Sequence, residues 1–313
     1  MTEEQYAKNL SVPTETVDVI LDTDAFNEVD DQFAIVYLLH AAERARVLGF
    51  CAAPFFNEIS ASPADGMEKS YAEIGKLLRL AGKEELCERV YSGADRYLAD
   101  EKTPIDSPAA RFLVESARAH TPQHPLYVVA IGAITNVASA LLLAPDIAEN
   151  TVVVWLGGHA HHWPRRPADE FNMTQDIAAA RVVFGSAVPL VQLPCFGVVD
   201  HFIVTEAELK RYMLGKNPAA DYLAKNVLTC QAACADGLPW GRVIWDVTAV
   251  AWLLNDGDRF MESTVTPAPM PQEDRSYRFE ENAKPICCVY RIDRTALLAD
   301  MFRRISGEDS FEK

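Results

Sequence analysis

The chain has 313 residues, 49% hydrophobic and 24% charged, a balance that excludes disorder and fibres and allows one large buried core. With 29 Lys and Arg against 45 Asp and Glu, the formal net charge is −16. So acidic a surface repels phosphate backbones and anionic lipid, which excludes nucleic acid and membranes as natural partners.

In chain order, residues 1–16 carry Glu3, Glu4 and Lys8 without the apolar run of a secretion signal, so a cytoplasmic location is expected. Short β-branched apolar runs at 17–21, 47–53, 126–131, 151–156, 188–193 and 285–292 read as strands buried on both faces. Segments 31–45, 67–80, 109–119, 136–144, 177–184 and 221–235 have the apolar spacing of helices. The alternation predicts an α/β fold with a doubly wound, open, mostly parallel sheet, and it directs attention to polar clusters just after strands. Residues 125–145 lack charge over roughly the length of a membrane helix, but Gly132, Thr135, Asn136 and Ser139 divide them into strand, turn and helix. Segments 82–108 and 157–169 read as loops, and the excursion through Pro267, Pro269 and Pro271 to Asp274 as a surface hairpin or lid. Seven cysteines at irregular spacing, with Cys287 and Cys288 adjacent, read as small core residues and not as a disulfide framework.

The first expected strand runs into Asp22-Thr23-Asp24-Ala25-Phe26-Asn27-Glu28-Val29-Asp30-Asp31, five acidic residues and an amide at one strand-to-helix turn. Like charges this close raise one another's pKa unless a cation neutralises them, and an all-oxygen set suits Ca²⁺ or Mg²⁺. Helix capping by Asp30 and Asp31 accounts for part of the set only. Asn57, after the second strand, lies beside that turn in a parallel sheet, either contacting a ligand or simply making its own turn. After the strand at 151–156 come Gly157-Gly158, His159, His161, His162 and Trp163, then Glu170 and Asn172. Glu170 and Asn172 face one side if the segment is extended, and an acid with an amide suits sugar hydroxyls. The histidines could hold zinc, yet no matching Cys or HExxH element accompanies them. Trp245-Asp246 precedes an apolar helix at 247–254. Asp246 is its N-cap, a further carboxylate for a cation, or both, and Trp245 is core or a stacking platform.

Taken in order, Asp22-Thr23-Asp24 with Asp30-Asp31, Asn57, Gly132-Ala133-Ile134-Thr135-Asn136, Gly157-Gly158, Glu170-Phe171-Asn172 and Trp245-Asp246 resemble the nucleoside hydrolase family, inosine-uridine and purine-preferring types, over about residues 17–254. The resemblance implies a single doubly wound domain over residues 1–313, hydrolysis of purine-leaning ribonucleosides to base and ribose in purine salvage, and a homodimer or homotetramer. It implies Ca²⁺ bound by Asp24, Asp31, Asp246 and the backbone carbonyl of Ile131, with Asp24 deprotonating a water. By the same resemblance Asp30, Asn57, Glu170 and Asn172 hold ribose hydroxyls. Trp245 stacks on the leaving base, and His159, His161 or His162 is the alternative proton donor. Three departures stand out. The acidic turn is two residues longer than the family's, Pro164 occupies the position of an asparagine for the 5′-hydroxyl, and Trp245 replaces the histidine of the inosine-uridine type.

Two other readings compete. A DxD after the first strand also resembles haloacid-dehalogenase-like phosphatases with an Asp nucleophile and Mg²⁺, although no convincing late acidic pair is found. A nucleoside or sugar sensor would keep the fold and the Ca²⁺ without the chemistry.

Overall fold

The computed structural model describes residues 1–164, 166–234 and 237–308. Its strands are β1 (Val17–Thr23), β2 (Ala45–Ala52), β3 (Val90–Ser92), β4 (Leu126–Ala130), β5 (Thr151–Leu156), β6 (Leu190–Leu193), β7 (Ile203–Thr205), β8 (Gly241–Val243), β9 (Met261–Pro267), β10 (Met270–Pro271), β11 (Tyr277–Arg278) and β12 (Pro285–Ile292). The helices are α1 (Glu3–Asn9), α2 (Val29–Leu39), α3 (Pro63–Leu80), α4 (Pro108–Arg118), α5 (Thr135–Leu143), α6 (Phe171–Gln175), α7 (Ile177–Gly185), α8 (Glu206–Tyr212), α9 (Pro218–Cys234), α10 (Val247–Trp252) and α11 (Arg294–Ser306). Eight strands form one sheet in the order β3-β2-β1-β4-β5-β6-β12-β9. Neighbours run parallel throughout except β9, which is antiparallel to β12.

This is the expected open, mostly parallel sheet covered by helices on both faces. Alternate residues of β1 feed opposite layers: Val19 and Leu21 join the core that includes α2, α9, α10 and α11, whereas Ile20 joins the one that includes α4, α5 and α7. The strand order reverses between β1 and β4, so the crevice beyond their carboxyl ends is the natural place for a ligand.

Local signals explain the helix starts. Ser62 and Ser107 accept from the backbone N–H three residues on, and Pro63 and Pro108 stand in the first turns they cap. Two expectations change. The helix expected over 31–45 stops at Leu39, because Ala45 pairs with Val17 as the opening of β2. The expected loop 82–108 contains the edge strand β3. The late proline-rich excursion is a hairpin, as expected, formed by β10 and β11. The helix expected over 221–235 is α9, and its last expected residue, Ala235, lies outside the described residues. Cys51, Cys195, Cys287 and Cys288 are free and buried, while Cys87 is half-buried and Cys230 exposed. No described helix is long and apolar enough to cross a membrane.

The alternation of β1 continues to its end and fixes the floor of the crevice. Asp22 turns toward α5, where Asn136 Nδ2 donates to its Oδ1 at 2.8 Å, and Thr23 turns toward α2, where its hydroxyl donates to Asp31 at 2.5 Å. Asn136 also donates to the Ala52 carbonyl at 3.2 Å and accepts from Ala94 N at 2.8 Å, tying β1, β2 and the segment after β3 together. Asn136→Ala strips partners from three buried groups and is expected to cost roughly 2 kcal/mol or more of stability. The urea midpoint measures it, and a change under about 0.5 kcal/mol, the scale of ordinary surface substitutions, contradicts this role.

Candidate active site

The acidic turn after β1, the turn after β4, the loop after β5, the turn after β6 and the segment before α10 meet in a cavity of about 220 Å³. Its walls include Asp24, Asn27, Glu28, Asp30, Asp31 and Asp246. One ligand oxygen from each of Asp30, Asp31 and Asp246 lies within 4.8 Å of the others. Asp24 adjoins them, buried, with neither carboxylate oxygen hydrogen-bonded, and Asp30 Oδ1 is likewise without a partner. Gly132 makes room for Asp24, since a Cβ there would sit 2.8 Å from Asp24 Oδ1.

Capping does not explain these aspartates. Glu28 holds the N-cap position of α2 and Asp246 that of α10, and neither side chain makes a capping bond. Asp30 and Asp31 stand in the first turn of α2, where the helix dipole eases their charge. Burial pushes Asp24, Asp31 and Asp246 well above the ordinary carboxylate range, and neighbouring negative charges add to it. Burial, followed by the charge of Glu28, pushes Asp30 up to about 7. Asp246 hydrogen-bonds Asp30 and Asp31, so without a cation these carboxyls share protons. Orphaned buried oxygens in an all-oxygen set fit a hard divalent cation.

The other expected residues divide. Glu170 and Asn172 both line the cavity, but not as an extended pair: Glu170 caps α6 and Asn172 lies within it. The Glu170 carboxylate accepts from Gly158 N at 2.9 Å, Asn172 N at 2.9 Å and Met173 N at 3.1 Å, and the Cys195 thiol bonds it as well. Burial holds this carboxyl up at about 7. Asn172 Nδ2 donates to the carbonyls of Ile131 at 3.0 Å and Leu156 at 3.1 Å, which leaves Ile131 one lone pair for a cation. Asn57 is not in the cavity wall; its amide donates to Asn27 Oδ1 at 2.6 Å.

Trp245 is half-buried in the wall, edge-on to Phe196 at 5.5 Å, and Phe196 stacks on Trp163 at 5.6 Å. His159 reaches the wall with both ring nitrogens engaged, Nε2 with the Asp169 carbonyl at 3.0 Å and Nδ1 with Phe196 N at 3.2 Å. His161 points away, with Nε2 on Gln192 at 2.8 Å. Burial lowers the pKa of both rings. His162 is exposed, and neither it nor His161 lines the cavity. The three histidines do not converge as a zinc site would require. Asn27 and Glu28 belong to the acidic turn already singled out, whereas Cys195 and Phe196 went unread, although they follow β6 where the strand-end rule directs attention.

The hairpin β10–β11 braces this wall. Arg275 pairs with Asp169 at 2.6 Å, and Ala168 N donates to the Arg275 carbonyl at 3.1 Å. Tyr277 packs against Gly158, which has φ +76° and no space for a side chain, a Cβ falling 2.0 Å from the Tyr277 hydroxyl. A larger groove of about 410 Å³ lies at the opposite ends of β1 and β4, but its Asp18, Arg46 and His120 are bonded to one another.

The model of the inosine-uridine preferring nucleoside hydrolase family matches residues 19–297. The chain belongs to that family. It is 30% identical over 215 residues to a protein of Arabidopsis thaliana named "Probable uridine nucleosidase 2", covering 67% of this chain and 60% of the relative. It is 32% identical over 149 residues to a pyrimidine-specific ribonucleoside hydrolase of Klebsiella pneumoniae, covering 46% of this chain and 45% of the relative. These matches therefore span about half the length of the curated relatives. Two solved structures share the fold: a plant nucleoside hydrolase, with TM-score 0.73 and 19% identity over 93% of this chain and 99% of that one, and a purine-preferring ribonucleoside hydrolase from Gardnerella vaginalis, with TM-score 0.72 and 22% identity over 93% and 98%.

The crowded carboxylates of this nucleoside hydrolase family member give a pH signature. Asp30 sits near 7 when folded and an aspartate near ~3.9 when unfolded, so the folded chain holds an extra proton between those values. The stability this confers is complete below the lower value and lost as pH rises through the upper. In chelator, the melting temperature of the unsubstituted protein minus that of Asp30→Asn is expected to fall from about pH 5 to about pH 8. A flat or rising difference contradicts the charge crowding.

Proposed function

We propose that this protein hydrolyses the N-glycosidic bond of ribonucleosides, purines preferentially, to free base and ribose, with Ca²⁺ held by Asp24, Asp31, Asp246 and the Ile131 carbonyl. The observation that carries this reading is the set of buried, unpartnered carboxylate oxygens at the switch point of the sheet, in a chain of this family. The chemistry a bound divalent ion supplies is charge neutralisation and a more acidic water. Asp24 accepts the proton of the attacking water, since its oxygens have no competing partner. Asp30 Oδ1 and the Asn172 amide oxygen accept from sugar hydroxyls, and a further hydroxyl displaces the weak Cys195 thiol donor on Glu170. As the glycosidic bond lengthens, the surrounding carboxylates stabilise the positive charge growing on the sugar.

The leaving base stacks on the aromatic wall of Trp245 and Phe196 and takes its proton from solvent. Occupied ring nitrogens argue against His159, and distance from the cavity wall argues against His161 and His162. No lysine or arginine lines the cavity among the described residues, which disfavours the phosphatase reading.

The test is an assay of free sugar released from a panel of purine and pyrimidine nucleosides, with chelator and with added Ca²⁺. Release that is lost in chelator and restored by Ca²⁺ is expected; ligand binding without release makes the protein a sensor, and phosphate release from aryl phosphates revives the phosphatase. Asp24→Asn is expected to stay folded and to lower kcat by ~10²-fold or more, the low end for a general base. A smaller loss removes Asp24 from that role. Trp245→Ala is expected to lower purine release more than pyrimidine release, and unchanged purine turnover rules stacking out.

A further inference from the structure

Five residues, 25–29, separate Asp24 from Asp30 in the acidic turn, and one of them, Asn27, stands in the cavity wall. Asn27 N donates to the Asp24 carbonyl at 2.7 Å, which closes the turn, and Asn27 lines the cavity together with Asp24, Glu28, Asp30 and Asp31. The aromatic wall comes from other loops, those after β5 and β6 and the segment before α10.

The polarity of the Asn27 amide can be read from its neighbour. Ile59 N donates to Asn57 Oδ1 at 3.1 Å, and a backbone N–H cannot accept, so this bond fixes which end of the Asn57 amide is oxygen. Asn57 Nδ2 must then donate, at 2.6 Å, to Asn27 Oδ1. The amide nitrogen of Asn27 is left over, with no partner among the described residues. Donors are scarce in this cavity, because the carboxylates can only accept when ionised, Asn172 Nδ2 serves two carbonyls, and both His159 nitrogens are engaged. A sugar hydroxyl both donates and accepts, and the oxygen lone pairs of a bound sugar need a donor.

We propose that Asn27 donates a hydrogen bond to a sugar hydroxyl of the substrate, and that Asn57 is a positioning residue acting through Asn27. The proposal rests on the hydrolase reading for its substrate and moves a sugar contact from Asn57 to a residue of the acidic turn. It also makes a polarity prediction. In Asn57→Asp the new carboxylate still accepts from Ile59 N but has nothing to donate, so Asn27 turns its nitrogen back to that carboxylate and shows the pocket an oxygen instead.

The experiment is a double-substitution cycle on the Ca²⁺-loaded protein, read in kcat/KM for ribonucleoside hydrolysis and separately in D-ribose affinity by calorimetry, with melting temperature as the folding control. Asn27→Ala is expected to lower kcat/KM and ribose affinity by roughly 10-fold, the loss of one hydrogen bond to a buried partner. Asn57→Asp is expected to match it with the melting temperature kept. The double variant Asn27→Ala/Asn57→Asp is expected to fall within about 2-fold of Asn27→Ala alone, because both remove the same contact. Losses that multiply to roughly 100-fold, or an Asn27→Ala variant within about 2-fold of the unsubstituted protein, overturn the proposal. An unsubstituted protein that binds D-ribose but frees none from any nucleoside overturns the hydrolase reading, and the ribose cycle still decides Asn27. If it neither binds nor releases ribose, both fall.

Discussion

Confinement of like charge is the constraint on which this molecule is built. Asp24, Asp30, Asp31 and Asp246 are all nearly inaccessible to solvent, where each ionised carboxylate is destabilised by lost hydration and by its neighbours. Their positions come from three different stretches of chain, and a compact sheet brings them together: the end of β1, the first turn of α2, and the start of α10. Thr23, the dipole of α2 and the space left at Gly132 make the arrangement tolerable, and an all-oxygen cluster of this kind gains most from a divalent cation. The same crowding that burdens the protein without a cation is what favours a cationic sugar in the reaction proposed here.

The central strands were legible because burial on both faces leaves near-continuous apolar runs, as in β1, β4 and β5. β9 was not, because it is an antiparallel edge strand that buries only its first residue, and β3 is a three-residue edge strand inside a polar stretch. The acidic turn was legible as a chemical anomaly, since no solvated surface explains five acids around one strand end. What Glu170 does was not, because whether a carboxylate caps a helix or faces a ligand depends on backbone angles that residue type does not set. The Asn57–Asn27 contact was hidden for another reason: it joins two loops 30 positions apart, and residue type alone does not say which of the two amides reaches the cavity.

Two amide side chains illustrate how much of the site is orientation and not inventory. Asn136 and Asn172 each spend both N–H groups on acceptors across different strands, so they hold the mouth of the sheet in register. The aromatic wall is organised similarly, with Phe196 between Trp163 and Trp245 and its backbone N–H fixing the His159 ring. A roll of polar and aromatic letters would give these residues equal weight; their bonds separate those that hold the cavity from those left free to meet a ligand.

The bracing hairpin has a consequence for how the protein is made. Arg275 follows its partner Asp169 by 106 residues, so a chain emerging from the ribosome carries the histidine loop for roughly 5–20 s before the hairpin that supports it has been synthesised. Throughout that interval the pocket has one wall without its buttress. Completion of the site is thereby deferred until seven of the eight strands of the sheet that carries it have been laid down.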